Sequence, residues 1–356
     1  DQEGRPARPE SEGLEQAAAG GPLVRLGTAR LAVAGMTGSE LAVMLTLLFW
    51  VVQVVDDLPD SFLQDVAGNL TAPSSVGGFL AAGAALLVVW FGLAAAASIL
   101  KNHGFTLARD GDDLRVSRGL LDRREGSMPF HRLQAVRVQA TIVRRGLRLA
   151  EVVLQSGGGA TASRAGLSRI DVPILDTGAV APLLGALLPV APPGEDAYVP
   201  APPAARRRAI VRRVVPATVV AAGLTAFDVR ALPVGALLVA GAGVAGELAY
   251  RGLAHAWQRE LLLTRSGGLA RETVVAPAAK AQSTRLRTTP FQRRAGLATL
   301  HVDVAGKGPT PTVKDGDADR LRRLQRDVLT ATSARQDERR LRREPAPGAS
   351  ATSRHA

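Results

Sequence analysis

Residues 119–157, GLLDRREGSMPFHRLQAVRVQATIVRRGLRLAEVVLQSG, decide the fold, because the chain repeats them in eroded form as residues 268–306, GLARETVVAPAAKAQSTRLRTTPFQRRAGLATLHVDVAG. Self-similarity on this scale means two copies of one folding unit. Pro129 and Pro277 stand 148 residues apart, and so do Gln134 and Gln282. Arg144-Arg145-Gly146-Leu147 answers to Arg293-Arg294-Ala295-Gly296-Leu297 once a short insertion is allowed before the arginine pair. Each copy follows two apolar segments. The unit is therefore a pair of hydrophobic segments and then a basic, strand-rich domain, made twice.

Leu41–Val55 has no charged residue, and reaching back to Gly35 lengthens it to membrane-spanning size while including Glu40. Val76–Leu100 is 25 residues without a charge. A hydrocarbon core needs roughly 20 such residues in a helix. The connection carries Asp56, Asp57, Asp60 and Asp65 and no Lys or Arg, whereas Lys101, His103 and Arg109 follow the second segment. That asymmetry predicts a cytoplasmic position from residue 101 onward and an acidic tip outside. The second pair, Val214–Phe227 and Ala231–Gly246, is shorter; Arg206, Arg207, Arg208, Arg212 and Arg213 precede it and Arg251 follows it. It spans if those arginines snorkel to the interface. The competing reading of the first pair is a buried helical hairpin of a soluble protein.

Outside these segments the period changes. Phe105–Arg109, Leu114–Arg118, Ala135–Gln139 and Val152–Gln155 read as short strands, several alternating apolar residues with Arg, and Asp110-Gly111 is a turn signal. Residues 175–189 close the first copy as a helix with Val180, Leu183, Leu184, Leu187 and Leu188 on one face. Residues 317–330 close the second, with Leu321, Leu324 and Val328 at helical spacing. The expected division is a linker at 1–21; a hairpin at 22–100 with spans near 35–55 and 76–100, its start (22–38) a basic amphipathic approach; and a domain at 101–190. A Pro-rich linker at 191–205, a second hairpin at 206–252 with spans near 210–227 and 231–250, a second domain at 253–332 and a disordered basic tail at 333–356 complete it. Residue 1 is Asp, so a fragment or processed product is expected.

The repeated unit resembles the bacterial PH-like domain of membrane proteins of the YdbS/YdbT type. The first copy carries Gly119, Leu120, Pro129, Arg132-Leu133-Gln134, Arg144-Arg145-Gly146-Leu147 and Gly157; the second carries Gly268, Pro277, Lys280-Ala281-Gln282, Arg293, Gly296-Leu297 and Gly306. The second departs from the family's Arg-Ile-Gln at Lys280 and Ala281. The resemblance covers about residues 22–330. It implies membrane α-helical hairpins plus two α+β domains, each a curved antiparallel sheet capped by a C-terminal helix. It also implies envelope functions, including protection against membrane-active peptides, with no settled biochemical activity.

Composition narrows the chemistry. Lys and Arg number 44 against 32 Asp and Glu, a net charge of +12, and there is no Cys. A basic balance suits nucleic acid or an anionic membrane surface, but two Tyr, eight Phe and three Trp offer few stacking platforms for bases. The histidines at 103, 131, 255, 301 and 355 are scattered, and no catalytic or metal motif occurs, so no catalytic, cofactor-binding or metal residue is assigned. Gly241-Ala-Gly243-Val-Ala-Gly246 matches a dinucleotide fingerprint but lies in an apolar segment, where small residues letting helices approach is the better reading. What remains is basic: Arg123, Arg124, Arg132, Arg137, Arg144, Arg145, Arg293 and Arg294 as an anionic-lipid or partner surface, with Arg148, Arg285 and Arg287 nearby. Guanidinium forks suit phosphate; the same residues are equally accounted for by a solvated sheet face and a topology signal. Pro129, Gln134, Gly146, Pro277, Gln282 and Gly296 are family-motif positions, Pro129 and Gly146 being expected to set strand entry and a tight turn. The expected partner is the bilayer, through anionic headgroups, with a homo-oligomer or partner membrane protein left open and nucleic acid excluded. A membrane-surface scaffold is the leading reading. A transport component is the alternative, disfavoured because Glu40, Asp228 and Glu247 lie only at segment ends.

Overall fold

A computed structural model describes residues 21–38, 76–157, 167–306, 308 and 310–343. The first expected span and the acidic connection lie outside the described residues beyond position 38, as do the linker at 1–20 and the tail from 344. The chain forms two compact units, residues 1–127 and 128–356.

The first unit opens with β1 (Val24–Arg25) and α1 (Thr28–Thr37), resumes with α2 (Val76–Asn102), and continues as β2 (Thr106–Asp110), β3 (Asp113–Arg118) and β4 (Arg124–Pro129). The sheet runs β1-β2-β3-β4, with Val24 opposite Leu107 and Arg25 opposite Thr106. Leu31, Phe105, Leu107 and Leu114 are fully buried. Residues 22–38 were expected as an amphipathic approach to the membrane. They instead contain the first strand of the sheet, two residues too short to register as a hydrophobic period. Helices α1 and α2 thus fall in the chain between β1 and β2, two neighbours in the sheet. Where α1 crosses α2, a Cβ at Gly35 would lie 2.2 Å from the Ala94 carbonyl oxygen, so only glycine lets the two backbones come this close.

The second unit carries β5 (Leu133–Thr141), α3 (Ile142–Gly146), β6 (Leu149–Ser156), β7 (Arg169–Asp176), α4 (Thr177–Leu187) and β8 (Val199–Pro200). Then come α5 (Pro203–Phe227), α6 (Leu232–Arg251), β9 (Ala254–Gln258), β10 (Leu261–Ser266) and β11 (Ala270–Pro277). It ends with β12 (Ala281–Arg287), α7 (Pro290–Arg294), β13 (Leu297–Val304), β14 (Thr312–Asp317) and α8 (Ala318–Arg343). All pairings are antiparallel, in a seven-stranded sheet β7-β6-β5-β11-β10-β9-β8 and a three-stranded sheet β12-β13-β14.

The seven-stranded sheet joins the repeats. β5 of the first pairs with β11 of the second, from Thr141 opposite Ala270 to Val136 opposite Val275. Ala135, Val274, Ala276 and Val304 form one buried cluster at this seam, and Arg137 pairs with Glu272 across it at 2.8 Å. The copy of β5, β12, has no strand on its outer side among the described residues. Its sequence explains the difference: where β5 has Ala135, Val136 and Gln139, β12 has Ser283, Thr284 and Arg287, and Ser283, Arg285 and Arg287 are exposed. Cations and small polar residues guard a free edge against further pairing.

Residues 191–205, expected as a Pro-rich linker, are docked. β8 pairs with β9, Val199 opposite His255, and Ala201 donates its amide to the Leu253 carbonyl at 3.1 Å. Arg265 stacks 3.8 Å from the Tyr198 ring centre and forks onto Glu195 at 2.7 and 2.8 Å, which holds the Glu195 carboxyl below its ordinary range. Proline content read as flexibility is here an edge strand and a helix start, both of which tolerate proline. Both repeats therefore place their first strand ahead of their helix pair.

The closing helices match their expected faces. Leu183, Leu184, Leu187 and Leu188 are buried, as are Leu321, Leu324 and Val328, the latter over Leu262, Leu300, Val302 and Val313. α8 runs on to Arg343, past the expected onset of a disordered tail at 333. Residues 333–343, SARQDERRLRR, are polar but rich in strong helix formers, and the packed turns before them supply the nucleus.

Spacing corrects the alignment of the repeats. Thr141 caps α3 through the Arg144 amide and Thr289 caps α7 through the Gln292 amide, 148 residues later. The left-handed residue after each helix is Arg148 (φ 55°) in one and Gly296 (φ 66°) in the other. No insertion is needed; Arg144 corresponds to Gln292 and Arg145 to Arg293. Gly146, expected to make the tight turn, ends α3 without a positive φ, and its Cβ position is open. The turn needs its left-handed residue two positions on, and Arg148 takes it. The matching glycine at the head of the repeat is likewise Gly267 rather than Gly268: Gly119 has φ +112° and Gly267 φ +100°.

Between α5 and α6 the close contacts fall at Gly246, where a Cβ would lie 2.7 Å from Ile210 Cα, and at Gly235, 3.0 Å from Ala221 Cβ. Gly243 is 3.9 Å from Val214 and Gly241 faces open space. The small-residue reading of the glycine motif thus rests on Gly246. Gly246→Val is expected to cost about 1–3 kcal/mol through overpacking, lowering the melting temperature of the detergent-solubilised protein, whereas Gly241→Ala leaves it unchanged within error. Equal effects would place the helix crossing elsewhere.

Candidate anionic-surface site

The arginines singled out in the sequence divide by environment. In the first unit, Arg123 and Arg124 are exposed and paired with Glu125 (3.0 Å) and Asp122 (2.8 Å). In the second, Arg132 is exposed, while Arg137 is half-buried at the β5–β11 seam on Glu272. Arg144 is only 4% exposed and reaches Glu151 at 2.8 Å. Arg144 is therefore unavailable to a lipid surface. The N-cap at Thr141 sets the frame of α3 so that Arg144 turns inward and Arg145 outward. Arg145 is exposed, its guanidinium 3.4 Å from the Gly268 carbonyl. Arg293 and Arg294 are exposed on α7, and Arg148, Arg285 and Arg287 are exposed as well.

Among the motif positions, Gln134, Pro129 and Pro277 make or precede local turns, whereas Gln282 is exposed. The Gln134 side chain donates to the Arg132 carbonyl at 3.2 Å and lies against Gly157, where a Cβ would come within 2.8 Å of it. Pro129 and Pro277 each precede a single 3-10 turn, Phe130–Arg132 and Ala278–Lys280, that turns the chain into β5 and β12. Lys280, a departure from the family pattern, donates to the His131 carbonyl of the other repeat, beside a cavity of about 430 Å³ whose walls include Leu187 and Leu188.

The arginines ahead of the third apolar segment, read in the sequence as a topology signal, make a second cationic cluster. They occupy the first turns of α5, against the second domain. Arg206 and Arg251 share Glu247, at 2.7 and 2.8 Å. Arg208 donates through one guanidinium nitrogen, Nη1, to both carboxylate oxygens of Asp315, at 2.6 and 2.8 Å. Asp315 is buried in a left-handed conformation (φ 51°) and also accepts from Gln292 at 2.6 Å; Gln292 donates to Thr299 at 3.0 Å. This network bolts the start of α5 to α7, β13 and β14. In the first repeat the positions of Gln292 and Thr299 are Arg144 and Glu151, so the same place is filled there by an ion pair. Asp315 lies within β14, and its partner Arg208, 107 residues away, carries no sequence signal of the pairing.

Two cavities flank α5 at this base. One, of about 330 Å³, is lined by Arg212, Arg213, Ser266, Arg287, Lys314 and Asp315. The other, of about 1020 Å³, runs between Arg207, Val211, Arg212 and Val215 of α5 and Phe291 and Arg294 of α7. In the second cavity, charge of one sign beside apolar side chains suits an anion with an apolar body. Among the described residues no cluster of His, Asp or Glu could hold a metal ion.

Because Arg144 is buried, Glu151→Ala is expected to strand its charge and cost roughly 3 kcal/mol, with Arg144→Met/Glu151→Leu recovering most of the loss. Thermal denaturation of the three proteins checks this. A silent Glu151→Ala would return Arg144 to the surface.

A comparison with protein families matches a bacterial PH domain over residues 42–188 and again over 213–331, each stretch taking in strands and the helix that closes them. Comparison with curated proteins and with solved structures returned no match. The antiparallel sheets, the closing helices over their buried leucines and the two matched stretches lead to one conclusion: the chain belongs to the bacterial PH domain family, in two tandem copies.

Proposed function

We propose that this is a non-enzymatic, multi-pass protein of a bacterial plasma membrane, whose two PH-like domains act on the cytoplasmic face as a scaffold or binding module. The observation that carries the reading is the helix pair of the second repeat. Pro203–Phe227 and Val229–Arg251 are 25 and 23 residues long, apolar enough to cross a bilayer. They carry their apolar side chains outward: Val219 is 68% exposed, Leu237 74% and Phe227 96%. A core helix of a soluble protein would hide those groups, and a water-exposed patch of this extent is a liability unless lipid or protein covers it. Arginines collect at the domain end of the pair, Arg206 to Arg213 and Arg251, in keeping with that end facing the cytoplasm. Anionic headgroups are the partner this charge fits best. Family resemblance extends the proposal to envelope maintenance or resistance to membrane-active peptides.

The absence of cysteine makes the topology directly readable. Asp228→Cys, at the turn between the two helices, is expected to react with an impermeant maleimide in intact spheroplasts. Ser283→Cys, exposed on β12, is expected to react only after permeabilisation. Equal labelling of both, or recovery of the chain in the soluble fraction without detergent, would overturn the membrane reading.

A further inference from the structure

The groove between α5 and α7 has a polarity gradient along its length. Arg207, Val211 and Val215 stand at i, i+4 and i+8, one stripe of a helix, so the step from cation to the second valine covers about 12 Å of axis at 1.5 Å per residue. Across the groove stands Phe291, an aromatic ring 74% exposed to solvent, beside Arg294. Arg208 on the same helix is neutralised by Asp315, but Arg207, Arg212 and Arg294 make no ion pair or side-chain hydrogen bond among the described residues. All three line the groove, and along the Arg207–Val211–Val215 stripe it becomes apolar toward the long helices.

We propose that this groove is a binding site for one anionic glycerophospholipid of the leaflet facing the domains. Arg207, Arg212 and Arg294 hold the phosphodiester, and Val211, Val215 and Phe291 receive the glycerol backbone and upper acyl chains. The inference rests on the membrane reading above and assigns a ligand to a defined place within it. The gradient selects this occupant. A free phosphate or sugar phosphate would satisfy the arginines and leave the valines and the exposed phenylalanine in water. A zwitterionic lipid would bring its own cation against three others. Guanidinium groups bind phosphate oxygens through paired N–H donors, which suits a diester held at the interface.

The first repeat carries only part of the arrangement. Ile142 and Val143 of α3 are each 55% exposed, Val143 standing 148 residues before Phe291, and Arg145 corresponds to Arg293. Arg294 has Gly146 at its place, so the cation on this helix that faces the groove belongs to the second copy alone.

The test is lipid retention by the whole chain. Protein reconstituted into nanodiscs with equal phosphatidylglycerol and phosphatidylcholine is extracted in mild detergent, and its bound lipid is counted by native mass spectrometry. Wild type is expected to retain phosphatidylglycerol preferentially. An Arg207→Gln/Arg212→Gln/Arg294→Gln variant is expected to lose that preference on the order of tenfold or more. Phe291→Ser is expected to reduce retention of both lipids, and millimolar glycerol phosphate is expected not to displace the bound lipid. A wild-type chain that inserts without preference, or a triple variant that keeps it, overturns this site and leaves the membrane reading intact. Displacement by glycerol phosphate replaces the lipid with a soluble anion and overturns the site as well. A chain that does not enter the disc overturns both inferences.

Discussion

The backbone ladder between β5 and β11 is the constraint on which the rest of the second unit depends. Each strand would otherwise present a row of unpaired amides and carbonyls, and pairing them merges half of one repeat with half of the next. The ladder is reinforced where its side chains allow: small apolar groups at Ala135, Val274, Ala276 and Val304 close under it, and Arg137 meets Glu272 across it. The equivalent strand of the second repeat is made unfit for the same use by Ser283, Arg285 and Arg287. The chain thus carries one joined edge and one guarded edge built from the same repeat.

A second consequence comes from where the helix pairs enter. In each repeat a two-residue strand is laid into the sheet before the chain leaves for its helices, and the next strand begins as soon as it returns. The α5/α6 pair is therefore held to its domain at both ends. Gly246 lets the helices touch near that base, and Arg208 on Asp315 fixes the angle at which α5 leaves. A domain attached this way cannot swing freely on a linker, so the cationic base of the helices and the surface of α7 keep a fixed relation. A site shared by the two elements needs that fixity.

Much of this was legible in the sequence and some was not, for physical reasons. The repeat, the β-rich character and both closing helices followed from spacing, because burial imposes a period on long elements. The edge strands β1 and β8 were missed because two residues carry no period. The Pro-rich stretch before α5 has the composition of a linker, and composition cannot tell a docked extended segment from a free one. Arg144 was grouped with its exposed neighbours because a run of arginines does not say which one turns inward; the cap at Thr141 decides that, and the threonine shared by both repeats was the available clue. The arginines of α5 were read only as a topology signal, since their partners in α7 and β14 lie far along the chain and meet them only through the fold.

The β5–β11 register is open to direct measurement in a chain with no cysteine of its own. Val138 and Thr273 face each other in the ladder, and opposed strand residues have Cα atoms close enough for a disulfide. Val138→Cys/Thr273→Cys, purified in detergent and mildly oxidised, is expected to form an intramolecular cross-link rapidly and nearly completely, while Val138→Cys/Val275→Cys, offset by two residues, does so slowly. Failure of the first pair to cross-link, or equal efficiency of the two, would mean that the repeats are not joined by this ladder.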